Sequence, residues 1–265
     1  MRTAGNTWNG GIGAPVGVFL TVAFLAAGAL GTAQPATGIP PEVVQLTQFG
    51  PALGVGLAAL LWPGRVRALL AGALRGRGAG GGALLLTAPL IIALSAGAYA
   101  LLTGDARFTR PDTLEHPFAL IVVAQMIGAC GEEIGWRCFL QPLLRTRFGP
   151  LTTSVTVGAI WGVWHVGVFA EDPVYAAAFL VGAIAMSVVM GRALEGTRAG
   201  GLPLAGGFHA LINLGMLLLM DEESGAVLPM VLFGAACLAA AVLWTWRNAR
   251  TAPAARIRTI PEHVR

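Results

Sequence analysis

The chain reads as an all-α integral membrane protein, a bundle of about eight transmembrane helices. Three observations predict this class. Of its 265 residues, 55% are hydrophobic and 11% are charged, against roughly 25% charged residues in a soluble domain. Apolar stretches near the ~20 residues a helix needs to cross a bilayer recur along almost the whole length. These stretches are continuous and do not alternate, which argues against a membrane β-barrel.

The expected spans are 15–34, 42–62, 82–103, 118–140, 151–169, 174–194, 201–220 and 226–246. No soluble domain fits between them and no internal repeat is visible, so 1–265 reads as one integral membrane domain. The loops sort by charge. Arg65, Arg67, Arg75 and Arg77 follow span two, Arg145 and Arg147 follow span four, and Arg192 and Arg198 flank the end of span six. The C-terminal tail carries Arg247, Arg250, Arg256, Arg258 and Arg265. The intervening loops hold Asp105, Asp112 and Glu115, then Glu171 and Asp172, then Asp221, Glu222 and Glu223, with only Arg107 and Arg110 on that side. The positive-inside rule then places both termini in the cytoplasm, in agreement with an even number of spans. Arg2, the apolar run 16–30 and the small residues of 31–36 have some character of a signal peptide, but an uncleaved first span is the favoured expectation. The stretch 65–77 reads either as a short interfacial helix or as a basic loop, and the glycines of 78–82 as a flexible joint.

The net charge is +4, with 17 basic residues, all arginine. They sit mostly in short inter-span loops, so no nucleic-acid partner is expected; the partners implied are the lipid bilayer and a peptide or membrane-protein substrate. The use of Arg, Gly and Ala suggests a GC-rich bacterial source and hence a bacterial cytoplasmic membrane. Cys130, Cys138 and Cys237 lie in apolar segments with no metal-knuckle spacing and read as small buried hydrophobes. Nothing in the chain reports an oligomeric state.

The feature that packing does not explain is a carboxylate doublet, Glu132 and Glu133, inside FALIVVAQMIGACGEEIGWRCFL (118–140). A charge near the bilayer centre costs a few kcal/mol or more unless it is paired, neutralised or hydrated. Glu133 and Arg137 are i and i+4 on one helical face, whereas Glu132 points about 100° away. Arg137 is therefore expected to hold Glu133, leaving Glu132 free to act on a different neighbour. His165 follows Trp161 by one turn in span five, and His209 and Asn213 share a face of span seven. A lone histidine in a membrane helix more often bridges helices than catalyses. Two histidines, an asparagine and a glutamate pair in three spans weaken that bland explanation.

Counting residues from the span ends puts Glu132 and His165 each about 21 Å in from its own end, and His209 and Asn213 about 12 and 18 Å in. All four can meet near the middle of the bilayer or in its cytoplasmic half. Such a set suits hydrolysis. Glu132 can take a proton from water, a histidine can orient that water, and His209 with Asn213 can donate to an oxyanion. The set Glu132, His165 and His209 could instead ligate Zn²⁺ with an open water position. The sequence contains no HExxH helix, no GxSxG elbow and no paired intramembrane aspartates, which argues against other intramembrane hydrolase classes. Gly158 and Gly162 form a GxxxG packing motif, and Gly206–Gly207 could pack span seven or let it bend.

In order, E-E-x-x-x-R at Glu132, Glu133 and Arg137, aromatic-x-x-x-H at Trp161 and His165, and H-x-x-x-N at His209 and Asn213 resemble the CPBP family (CAAX proteases and bacteriocin-processing enzymes, or Abi). Its best-known branch is the type II CAAX prenyl endopeptidase. The resemblance spans 118–217 and implies a four-helix protease core from spans four to seven. It implies Glu132 and His165 as water activators, His209 and Asn213 as oxyanion donors, and Glu133 and Arg137 as support. The family's second motif usually begins with Phe, and Trp161 stands there in this chain. The family has been described both as metalloproteases and as metal-independent glutamate proteases. The metal-independent mechanism, with no cofactor required, is the favoured expectation, with Zn²⁺ kept as the alternative. Two other readings stay open: a non-enzymatic immunity or scaffold protein, and a proton-coupled transporter.

Overall fold

The computed structural model describes residues 11–74, 81–106, 108–195, 201–220 and 225–251. Every helix or turn element among them is helical: α1 Gly13–Thr37, a 3₁₀ turn Leu46–Phe49, α2 Gly50–Leu61, α3 Pro63–Leu74, α4 Gly81–Thr103, a 3₁₀ turn Pro111–Thr113, α5 Phe118–Gly135, a π turn Trp136–Leu140, α6 Gln141–Leu144, α7 Pro150–Trp164, a 3₁₀ turn Val166–Ala170, α8 Pro173–Leu194, α9 Gly201–Leu219 and α10 Val227–Thr251. The chain is a polytopic helical membrane bundle. Leu25, Leu90, Leu101 and Leu243 stay exposed on its outside, as a surface solvated by lipid permits.

Six of the described helices, not eight, are long and apolar enough to cross a membrane: α1, α4, the 27-residue rod Phe118–Leu144, α8, α9 and α10. The expected spans 42–62 and 151–169 shrink. In the first, only Leu46–Leu61 is helical. Gly38 ends α1 with φ 68, a left-handed conformation that suits glycine. The chain then runs through Pro40 and Pro41 without a helix. Buried Gln34 holds this connection, donating to the Ile39 and Val44 carbonyls at 3.2 and 2.9 Å and accepting from the Leu46 N–H at 2.9 Å. In the second, α7 stops after 15 residues because His165 leaves helical geometry at ψ 62. That is about 22 Å of helix in a core of ~30 Å.

Packing follows the small residues. A Cβ on Gly158 would meet the Ile184 Cα and Ser187 Cβ at 2.7 Å, and one on Gly162 would meet Leu180 at 2.8 Å. The GxxxG of α7 therefore seats it on α8. Gly206 lies against Cys130 and Gly207 against Leu85, within a continuous α9; this pair packs and does not bend the helix. Phe19 of α1 meets Trp136 and Phe139 with ring centroids 5.4 and 5.2 Å apart, and Trp136 meets Trp164 at 5.9 Å. The segment Pro63–Leu74 is a helix, with Val66 buried and Arg67 exposed. It packs on the π turn at the arginine-bearing end. Cys130, Cys138 and Cys237 are free thiols, the last two buried. Arg2, Arg75, Arg77, Arg107, Arg198, Asp221, Glu222, Glu223, Arg256, Arg258, Arg265 and 78–80 lie outside the described residues.

Candidate active site

The two carboxylates of α5 separate as their helical angle requires. Both are buried, Glu132 at 2% and Glu133 at 0% exposure. Glu133 turns into packed protein, with its Oε2 3.3 Å from Arg137 Nε and its Oε1 2.9 Å from His209 Nδ1. Arg137 lies with its guanidinium carbon 4.6 Å from the centre of the Trp161 ring. Among the described residues no acceptor makes a hydrogen bond to its Nε, Nη1 or Nη2. Its charge is met by the Glu133 carboxylate and by the indole face. Arg137 belongs to the π turn, in which the Gln141 N–H bonds the Trp136 carbonyl five residues back. Such widened turns are frequent at functional sites. The 3.6-residue pattern gave no sign of this one.

Glu132 faces α7, where its Oε2 accepts the Trp161 Nε1–H at 2.7 Å. The substitution of Trp for the Phe common in the second motif therefore adds a hydrogen-bond donor to this carboxylate. His165 lies just past the end of α7. Its Nδ1 sits 2.8 Å from the Trp161 carbonyl oxygen, a contact that makes Nδ1–H the donor and leaves Nε2 as the free ring nitrogen. Its ring packs edge-on against Trp164 and Phe179, each with centroids 4.9 Å away. The Trp161 ring also meets His209 at 5.3 Å, so one indole touches the acid, the base-like ring and the third helix.

Asn213, one turn along α9 from His209, donates from Nδ2 to Gln125 Oε1 at 3.0 Å. Gln125 Nε2 in turn donates to the Glu42 carbonyl at 3.1 Å. Gln125 went unremarked in the sequence, although a glutamine two turns before the doublet in an apolar segment was a readable sign. Glu132, Trp161, His165, His209, Asn213 and Gln125 all line one cavity of about 460 Å³. Its wall is completed by Gln48 and by apolar side chains that include Phe179, Met186, Ile212, Met216 and Phe233.

The mouth of the cavity lies toward the acid-bearing loops. Its lining includes Pro41 and Glu42, Thr109 and Leu114, Glu171, and Gly225. These come from the connection after α1 and from the three acid-rich loops. The Thr109 N–H donates to the Leu218 carbonyl at 2.8 Å, fastening one of these connections to the end of α9. No residue of the arginine-bearing connections lines it.

A zinc ion held by Glu132, His165 and His209 would need their ligand atoms to converge on one point. Both histidines have Nδ1 engaged, His209 by a carboxylate and His165 by a carbonyl, as metal-ligating histidines commonly do. Among the described residues, however, the trio whose ligand atoms come within 4.8 Å of one another is Glu42, Glu115 and His116. Glu132, His165 and His209 form no such cluster. No step below passes through a metal ion.

Comparison with known proteins matches this region. A family model described as "Type II CAAX prenyl endopeptidase Rce1-like" covers residues 114–215. Lysostaphin resistance protein A of Staphylococcus aureus strain MRSA252 is 28% identical over 144 residues, which is 54% of this chain and 34% of that protein. The counterparts from strains Newman and USA300 show the same identity and coverage. The chain thus matches about a third of the length of these curated relatives. The three ordered motifs fall inside residues 114–215, and over that stretch the chain is similar to the type II CAAX prenyl endopeptidase Rce1-like family.

Proposed function

We propose that the protein is an intramembrane endopeptidase of the glutamate type, hydrolysing a peptide bond of a membrane-associated or peptide substrate. The observation that carries this reading is the convergence of Glu132, His165, His209 and Asn213, from α5, α9 and the end of α7, on one cavity deep in the bundle. Glu132 takes a proton from water as the water oxygen attacks the scissile carbonyl carbon. The lone pair on His165 Nε2 accepts the water's other hydrogen and sets its direction. His209 has Nδ1–H on Glu133, so it offers a second donor at Nε2 only as an imidazolium. Two carboxylates, Arg137 and that imidazolium sum to zero, which makes the charged form tolerable in a buried site. His209 Nε2–H and the second amide hydrogen of Asn213 then donate to the oxyanion. On collapse, the C–N bond breaks, and the proton held by Glu132 passes to the leaving nitrogen.

The arginine-bearing end is assigned to the cytoplasm by the positive-inside rule, with both termini on that side. Purified protein and its Glu132→Ala variant, each presented with a peptide library, test the reading. Cleavage by the first alone is expected, and equal cleavage by both would end the assignment. The name of the relatives, lysostaphin resistance protein A, favours a second reading, a resistance or immunity protein that needs no hydrolysis. In that case Glu132→Ala would leave the cellular phenotype intact while Gly158→Val, on a packing face, would abolish it.

A further inference from the structure

The mouth of the cavity has a charge character that the family match does not explain. The four connections that contribute lining residues hold, in sequence, nine of the chain's 13 acidic residues and two of its 17 arginines, with Asp221, Glu222 and Glu223 outside the described residues. Of those two, Arg110 is paired with Asp112 at 2.7 Å, and Arg107 lies outside the described residues. Among the described residues, the lining includes Glu42, Glu132 and Glu171 and no arginine; Glu42 Oε1 also lies 3.0 Å from His116 Nδ1. A mouth rimmed by carboxylates, set in an apolar surround, concentrates ligands of the opposite sign.

A second observation says what kind of molecule is cationic. Gln48 lines the cavity at 5% exposure, and its Oε1 has no hydrogen-bond partner among the described residues. The fold holds it there on purpose-built ground: the 3₁₀ turn Leu46–Phe49 is tied down through Gln34, and a Cβ on Gly128 would run into the Gln48 amide. Gly128 and Glu132 are i and i+4, so the Gln48 amide lies against α5 about one helical turn before Glu132, on the mouth side. A primary amide offers one donor face and one acceptor face, the complement of a peptide group. At about 3.3 Å per residue in an extended chain, that peptide group is one or two residues from the scissile bond.

We infer that the cavity takes a basic peptide segment, delivered from the acid-lined end, with a lysine, an arginine or a free N-terminal amine near the bond that is cut. Gln48 binds its backbone, Glu42 and Glu171 attract its charge, and the apolar wall of Phe179, Met186, Ile212, Met216 and Phe233 receives a neighbouring side chain. This rests on the peptidase reading, and the test separates the two. Labelled peptides with one apolar core and lysine, glutamine or glutamate flanks are titrated against the Glu132→Gln protein, which reads binding without hydrolysis. Free and acetylated N-termini distinguish a terminal amine from a basic side chain.

The lysine-flanked peptide is expected to bind about threefold to tenfold more tightly than the glutamine one, with the gap closing as salt shortens the Debye length. Combined Glu42→Gln and Glu171→Gln should reduce that ratio toward one. Gln48→Met keeps the volume against Gly128. It should raise KM for the cleaved peptide by about tenfold without lowering the Tm, because it removes a buried carbonyl that has no partner. Equal binding of the three flanks, or a preference indifferent to Glu42 and Glu171, would overturn the inference while leaving the peptidase standing. Charge-selective binding with no cleavage by the wild type would do the reverse.

Discussion

The two ends of the bundle are built differently. At the arginine-bearing end the rod Phe118–Leu144 widens into a π turn, and Trp136, Phe139, Leu140 and Leu143 are fully buried. At the acid-bearing end the same rod borders a cavity, and polar side chains face inward along it. The doublet stands at the boundary. Glu133 belongs to the packed end, where Arg137 and His209 consume its two oxygens, and Glu132 belongs to the hollow end. Neighbours in sequence are thus divided between structure and chemistry, because a helix turns about 100° per residue.

That division can be broken by experiment. The largest effect is expected at Glu132→Gln, with a loss of about 10²–10⁴ in kcat and an unchanged Tm. A variant that loses both would place Glu132 in the packed end as well. Glu133→Ala should act the other way, leaving Arg137 buried and unpaired at a cost of about 3–5 kcal/mol. Thermal unfolding in detergent reads it, and an unshifted transition would contradict the pairing. Gly158→Val, which forces a side chain between α7 and α8, should cost about 1–3 kcal/mol, visible in the same unfolding curve.

Trp161→Phe restores the usual residue of the motif and removes one donor from Glu132. Hydrogen bonds to charged groups contribute about 1.5–3 kcal/mol, but Phe keeps the ring against His165 and His209. The expected outcome is retained hydrolysis with an altered pH profile, and complete inactivity would show that the indole N–H is indispensable. The smallest expected effect is none: a chelator should leave peptide cleavage unchanged, and inactivation reversed by added zinc would return Glu132, His165 and His209 to the role of ligands.

Much of the site was legible because its signals are local. The i, i+4 spacing of Glu133 and Arg137 became a 3.3 Å contact, and polar residues in apolar runs marked α5, α7 and α9. The spans that failed show where hydropathy stops. The run 151–169 is apolar throughout, yet its helix ends at Trp164 because His165 turns out to place its ring on Trp164 and Phe179. Residues 42–45 are spent on the connection that carries Gln48 to α5. Neither Gln48 nor Gln125 has a partner within its own helix turn, so no periodicity pointed to them.

By itself, the sequence determined that this is a helical membrane bundle, which residues in it are too polar to be there idly, and how the loop charges sort between its two ends. These follow from composition and from a period of 3.6 residues, both carried along one dimension. Only the tertiary structure decided that Trp161 donates to Glu132, that the connection after α1 walls the cavity, and that the mouth lies at the acidic end. Each of those is a contact between segments 29 or more residues apart, set by which small residues let two helices approach, and no local pattern encodes it.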